Sequence, residues 1–350
     1  MEYLKILEDL VKIRTDNEKG VKKAFKYLSD LFNNLGIKNE IIEGCFIAYK
    51  DDLKKINKIF NSHIDTVKFQ REFKREEDKI YGTGVIDAKG NVILMMHAFL
   101  TTENSLLVIS PDEETKSEGI CKFCQYLKNH KEFKENIKKR SLNVIVGEPT
   151  DLKVCIGHKG RFEYMVECFG EAKHASFPSS TNPIEIISKV VLDIKNIPLK
   201  SIKFEKTYYS SITPTIVKGG VQSNITPDYA SVLFDVRSVE NDLIKKIDNF
   251  LSKKEYYNKI KAGLVKNRNF ADFYILKNEE LLKKLSDNFD ISFFNATCEA
   301  FYFNKFLNAD AIIYGVGRLE LAHSKNEHLY IKEFFKGIKE IEKLANLVEE

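Results

Sequence analysis

The stretch Ile56-Asn57-Lys58-Ile59-Phe60-Asn61-Ser62-His63-Ile64-Asp65-Thr66-Val67 runs from an apolar core segment into a polar end. Ile56–Phe60 reads as a short buried strand. Side chains alternate along an extended backbone, so His63 and Asp65, two apart, point the same way. His63 is then placed to bind a metal while Asp65 receives its other ring N–H and fixes the tautomer. The same arrangement recurs down the chain. Leu106–Ile109 leads to Asp112-Glu113-Glu114, Leu142–Val146 leads to Glu148, and Ala311–Tyr314 is followed by His323. Gly84-Val85-Ile86-Asp87-Ala88-Lys89-Gly90 adds Asp87. Helical patterns intervene at Asn91–Thr101 and Ser117–Leu127, giving an α/β domain with a mixed, mostly parallel sheet. Ligand sites in such sheets form beyond the carboxyl ends of strands, where the four stations of His63 and Asp65, Glu113 and Glu114, Glu148, and His323 fall.

Toward the N-terminus, Val21, Ala24, Phe25, Leu28, Leu31, Phe32 and Leu35 make an apolar helical stripe, and Gly36 sits where a helix end favours a left-handed residue. Toward the C-terminus, the pattern changes near His158. Arg161–Phe169 and Tyr229–Arg237 alternate as strands, with a helical stretch at Pro183–Ile197 between them. This βαβ-like segment predicts an inserted α+β domain over residues 158–264. Residues 1–157 and 265–350 then form one split catalytic, metal-binding domain, closed by a helix from Lys332 to Val348. A chain of 350 residues is long enough for two such domains.

Composition narrows the function classes. Hydrophobic residues are 43% and charged residues 30%, as for a globular enzyme. The run Val92–Leu100 is too short to span a bilayer, and Met1 to Asp9 carries no basic-then-apolar signal pattern, so a cytoplasmic location is expected. The net charge of +4 is weak, and Lys138-Lys139-Arg140 lies among acids, so no nucleic-acid or membrane partner is expected. Cys121 and Cys124, three apart on a helix, read as two small buried residues. Tyr81-Gly82-Thr83-Gly84 fits no phosphate-binding motif and reads as a tight turn leading to Asp87.

Adjacent carboxylates such as Glu113 and Glu114 can divide labour, one on a metal and one as general base toward a metal-activated water. Clustered acids just past a buried strand are costly unless a cation neutralises them. His97 lies inside an apolar helix and reads as a core residue.

The ordered segments SHIDTV (62–67), GTGVIDAKG (82–90), DEET (112–115), GEPT (147–150), GEAKHASFP (170–178), SNITPD (223–228), DVR (235–237) and AHSKNEH (322–328) together resemble the M20 family of dinuclear zinc peptidases and deacylases. The likeness is strongest to its lysine- and arginine-biosynthesis branch, the acetyl-lysine and acetylornithine deacetylases and the hydrolases of carrier-protein-linked lysine or ornithine. The resemblance implies two zinc ions, with cobalt as an alternative. His63, Asp87 and Glu148 would hold one and Asp87, Glu114 and His323 the other. It implies Glu113 as general base, Asp65 as the orienter of His63, and His174 as oxyanion stabiliser. Arg237 and Asn224 are implied as substrate contacts. It also implies a cis peptide after Asp87 and an insert that serves as a lid and mediates homodimerisation. Two segments depart from the family pattern. Ala296-Thr297-Cys298-Glu299 stands where Gly-Thr-Ser-Asp is usual, and Gly315-Val316-Gly317 where Gly-Pro-Gly is.

The expected activity is metal-dependent hydrolysis of the amide of an N-acylated amino acid, acetyl- or carrier-linked lysine or ornithine foremost. The partner is thus a small N-acyl amino acid or an acidic amino-group carrier protein. Succinyl-diaminopimelate desuccinylase, aminoacylase and dipeptidase activities are the alternatives within the family. A non-catalytic metal-stabilised binding protein is the alternative outside it.

Overall fold

The computed structural model describes residues 2–137, 141–177, 179–265 and 271–348. The basic Lys138–Arg140 run and Pro178 of the 170–178 segment lie outside the described residues. The chain divides into two compact units. The first comprises Met1–His158, Ile275–Phe294 and Cys298–Glu350; the second comprises Lys159–Tyr274 and Asn295–Thr297.

Unit 1 is built on a mixed sheet. Its centre is parallel: Ser105–Ser110, Lys58–His63, Asn143–Val146 and Asp310–Ile313 lie side by side in that order. The hairpin Lys38–Ile42 and Cys45–Tyr49 extends one edge in antiparallel fashion. Val154–His158 follows on the other side and pairs in parallel with Ile291–Phe294. Every residue of Lys58–His63 and Ser105–Ser110 is buried, as befits strands covered on both faces. The helix Gly90–Thr101 is apolar nearly all round, with ten of its twelve residues buried, so it forms the centre of the core rather than a surface layer. It packs against the C-terminal helix Ile331–Leu347 and the Lys58–His63 strand.

The strand expected from Ile56 begins at Lys58 and runs through His63, so His63 is its last residue rather than a loop residue beyond it. The helix Glu18–Asn34 starts at Asn17, whose side chain accepts from the Gly20 N–H, and ends toward Gly36 at φ 68°. Of the cysteine pair on the helix Glu118–Asn129, Cys124 is buried, but Cys121 is partly exposed and accepts from the Gln125 amide. Among the described residues no helix is long and apolar enough to cross a membrane.

Unit 2 holds a four-stranded sheet in the order Ser211–Gly219, Tyr229–Ser238, Gly160–Phe169, Ile260–Leu264. All its pairings are antiparallel, as in the expected α+β domain; only the parallel pairing that a βαβ-like order suggests is absent. The strand Gly160–Phe169 alternates between buried and half-buried positions and ends on the exposed Phe169. Its inward residues Phe162, Tyr164, Val166 and Cys168 pack with Ile187, Val190 and Ile194 of the helix Pro183–Ile194. That helix stops three residues short of Ile197, which follows in a turn.

Candidate metal centre

The parallel strands deliver four polar stations to one edge of the unit 1 sheet. His63 ends its strand; Glu113 and Glu114 follow Ser110; Glu148 follows Val146; His323 lies in the loop after the Asp310–Ile313 strand. Asp87 arrives on the Val85–Lys89 turn that opens the core helix, and the Asp87–Ala88 peptide is cis.

These side chains converge on Asp87. Its Oδ1 lies 3.0 Å from His63 Nε2, and that same nitrogen is 4.0 Å from Glu148 Oε1. Its Oδ2 lies 3.1 Å from His323 Nε2, which is 2.8 Å from Glu114 Oε1. The two oxygens of one carboxylate thus face two different donor groups. Ligand atoms of His63, Asp87 and Glu114 all fall within 4.8 Å of one another, as a metal ion requires. His323 adopts a left-handed backbone at φ 61°, an uncommon conformation for a side-chain-bearing residue and one that clusters at functional sites.

Asp65 organises both sides of this group. His63 Nδ1 lies 3.1 Å from the backbone carbonyl of Asp65 and 3.3 Å from its Oδ1. Its Oδ1 also accepts from the Glu113 N–H and its Oδ2 from the Glu114 N–H, each at 3.0 Å. Asp65 therefore ties the histidine, through its carbonyl and carboxylate, to the loop that carries the acid pair.

Five carboxyl groups, those of Asp65, Asp87, Glu113, Glu114 and Glu148, gather around two imidazoles, and the exposure of Asp87, Glu114 and Glu148 side chains is 10% or less. The resulting charge is visible in the acid strengths. Burial alone would depress His63, but its hydrogen bonds to Asp65 and Asp87 more than reverse this and hold it well above the usual histidine range. Contacts with Asp87 and Glu114 push His323 up to about 10. Burial pushes Glu113 and Glu148 well up, His63 opposing and the neighbouring acids adding to it. Surplus buried negative charge of this kind is relieved by taking up cations, so the donor set fits a divalent metal site.

The sequence reading missed the supports beneath Asp87. Buried Glu327 accepts from the N–H groups of Gly84 at 3.1 Å, Ile86 at 3.0 Å and Asp87 at 3.4 Å. Asn91 donates to the Ile86 carbonyl at 2.8 Å and accepts from the Val316 N–H at 2.8 Å. This explains Gly315 and Gly317. A Cβ on Gly315 would meet Asn91 Oδ1 at 2.1 Å, and one on Gly317 would meet the Ile86 side chain at 2.4 Å. Lys89, fully buried, donates to the Ile13 carbonyl, and burial lowers it to about 7. Glu327 was within reach of motif reading, since it stands in AHSKNEH; Asn91 and Lys89 carried no signal of their own.

The remaining candidates lie in unit 2. His174 is exposed, bonded through Nδ1 to Ser176, in a two-residue strand facing Ile225. Asn224 is its neighbour there, its carbonyl accepting from the Ala175 N–H. Arg237 sits apart on the Tyr229–Ser238 strand, donating to Asp235 at 2.6 Å, and Asp235 also accepts from Arg161.

Residues 59–347 match peptidase family M20/M25/M40. A Methanocaldococcus jannaschii protein described as an uncharacterized metallohydrolase is 68% identical over 348 residues, 99% of each chain. A LysW-lysine/LysW-ornithine hydrolase of Saccharolobus islandicus is 33% identical over 255 residues, 69% of this chain and 66% of that protein. Among solved structures, a tripeptidase of Staphylococcus aureus superposes with a TM-score of 0.75 at 18% identity, over 99% of this chain and 98% of its own. An M20 family metallo-carboxypeptidase of Sulfolobus solfataricus gives 0.68 at 18% identity, over 99% of both chains. At that identity the structures speak for the fold alone. The chain-long family match and the convergence on Asp87 lead to one assignment: this chain belongs to peptidase family M20/M25/M40 and is a metal-dependent hydrolase of carbon–nitrogen bonds.

Proposed function

We propose that the chain hydrolyses the amide of an N-acylated amino acid, lysine or ornithine foremost, free or attached to an acidic amino-group carrier protein. The observation that carries the reading is the division of Asp87, one oxygen toward His63 and Glu148 and the other toward His323 and Glu114. That division suits two divalent ions, zinc with cobalt as a substitute: His63, Asp87 and Glu148 would hold one, and Asp87, Glu114 and His323 the other. When bound, two such ions supply a polarised amide carbonyl and a water that ionises near neutral pH.

The chain's own groups do the rest. Asp65 holds His63 in the tautomer that leaves Nε2 free for a ligand bond. Glu113, raised by burial and by its acidic neighbours, is a strong enough base to take a proton from water and a strong enough acid to return it to the departing amine. His174 is assigned to the amide oxygen as it gains charge. Arg237 is assigned to the substrate carboxylate, which a guanidinium grips with two donors, and Asn224 to the substrate backbone.

The preference for lysine or ornithine rests on the Saccharolobus hydrolase, whose name specifies both linked to LysW. A homodimer through unit 2 is part of the proposal. It is supported by the edge strand Ser211–Gly219, where Ile216 and Val217 are exposed at 48% and 64%, with Val221 beyond it at 85%. Such an edge invites pairing with another strand.

The test is release of free amine by zinc- or cobalt-restored protein. Its panel holds N-acetyl-lysine, N-acetylornithine, carrier-linked lysine, N-succinyl-diaminopimelate and a dipeptide. Metal-dependent turnover of a lysine or ornithine member is expected, and Glu113→Ala should lower it about 100- to 10,000-fold with metal content unchanged. Turnover of the dipeptide or succinyl compound alone would refute the substrate reading. Full activity in Glu113→Ala would refute the assignment of the base.

A further inference from the structure

Glu299 has no part in the chemistry above, yet it lies close enough to Glu113 and Glu148 for its charge to act on both. It is 1% exposed and stands at the N-terminal end of the helix Ala300–Leu307, without capping it through its side chain. Neither carboxyl oxygen has a hydrogen bond of ordinary geometry. The Asn61 and Ser110 side chains lie beside it, and Asn61 Oδ1 and Ser110 Oγ are equally unsatisfied. The Asn61 amide nitrogen is turned to the carbonyls of Val108 at 3.3 Å and Ser62 at 3.5 Å. The Ser110 hydroxyl therefore brings one hydrogen to a spot rich in acceptors. An ionised Glu299 brings none, whereas a protonated one brings the second.

Charge argues the same way. The ionisable groups around Glu299 are His63 from the Lys58–His63 strand, Asp112 and Glu113 from the loop after Ser110, and Glu148 from the loop after Val146. Cys45, Cys124, Cys298 and Tyr302 complete the surroundings, all pushed up by burial and by Glu299. In the metal-free protein acids outnumber the one imidazole, and a further buried negative charge would be costly. Burial, with Asp112 adding and Ser110, His63 and Asn61 opposing, raises Glu299 to about 8.

We propose that Glu299 is a positioning residue: a neutral, proton-bearing carboxyl that bonds Asn61 and Ser110 and so ties together the ends of the two strands that carry His63 and Glu113. Asn61 lies two residues before His63, and Ser110 three before Glu113. The link adds a side-chain tie where the parallel ladder stops, at the point from which both functional groups project.

The test compares the wild type with the variants Glu299→Gln and Glu299→Ala, metal-free in its first arm and zinc-restored in its second. Its first arm needs no substrate. An unfolded glutamate loses its proton near 4.5, whereas this one keeps it to about 8, so its contribution is full below 4.5 and is lost as pH rises toward 8. Glutamine cannot ionise. The melting temperature of Glu299→Gln minus that of the wild type should therefore grow by roughly 3–6 °C between about pH 6 and about pH 8. A gap that stays constant or shrinks overturns the proposal, whatever the alanine variant does. The second arm rests on the amidohydrolase reading. Glu299→Ala should lower kcat about 10- to 100-fold with KM little changed, and Glu299→Gln should restore it to within about threefold. Equal losses in both variants would mean that a charged carboxylate is required and would overturn the proposal. A widening gap without turnover of any panel member, wild type included, would refute the substrate reading and support the neutral acid.

Discussion

Replacing Asp65 by asparagine changes one atom and should disable the centre in a measurable way. The carboxylate divides its two oxygens between the N–H groups of Glu113 and Glu114, both at 3.0 Å, while one of them also faces His63 Nδ1 at 3.3 Å. An amide has one oxygen. Whichever N–H it keeps, its NH2 must meet the other, donor against donor. The loss of a hydrogen bond to a charged acceptor costs about 1.5–3 kcal/mol, and the stranded buried N–H about 1–3 kcal/mol. Taken together, a destabilisation of roughly 3–5 kcal/mol follows, on the order of 4–10 °C in melting temperature. His63 also loses its anionic partner, which should weaken zinc binding by about 10- to 100-fold. Chelator competition on Asp65→Asn and wild type measures the affinity, and calorimetry the stability. Zinc affinity within about twofold of wild type would refute the view that Asp65 sets the geometry of His63 and the acid pair.

Glu327→Ala removes the common acceptor of the Gly84, Ile86 and Asp87 N–H groups and should destabilise the protein by about 3–5 kcal/mol, more than Glu327→Gln, as measured by denaturant titration. For metal-free protein, the imidazolium of His323 between Asp87 and Glu114 is raised to about 10. Its contribution is fully present below the unfolded value of 6.5 and lost as pH rises through about 10, so the stability gap between wild type and His323→Asn should narrow over that window. A gap that is flat from pH 6.5 to 10 would refute the pairing.

His63, Asp87, the acid pair, Glu148 and His323 were legible because they follow, or begin, short apolar runs whose lengths mark buried strands and a core helix. Their shared edge followed from the parallel arrangement alone. The supports were not legible. Glu327 reaches residues 240 to 243 positions away, and nothing in the periodicity around either partner announces the meeting. Glu299 stood out only as a departure in a family segment, since burial without partners is a property of packing. The second unit shows a different limit. Alternation identified its two long strands, which pair antiparallel with each other, but their outer partners Ser211–Gly219 and Ile260–Leu264 carried no such signal.

The position of Asp310–Ile313 has a consequence for how the protein is made. This strand is inserted between Asn143–Val146 and Val154–His158, so the first unit lacks a central strand until residue 313 has been synthesised. The four-stranded sheet of the second unit lies wholly within residues 160–264 and is complete long before. On the ribosome, therefore, the inserted unit is the first able to finish its sheet, and its host must wait. Because His323 emerges later still, a nascent chain carries an incomplete donor set until the host sheet can close, which defers loading of the full centre to the last stage of synthesis.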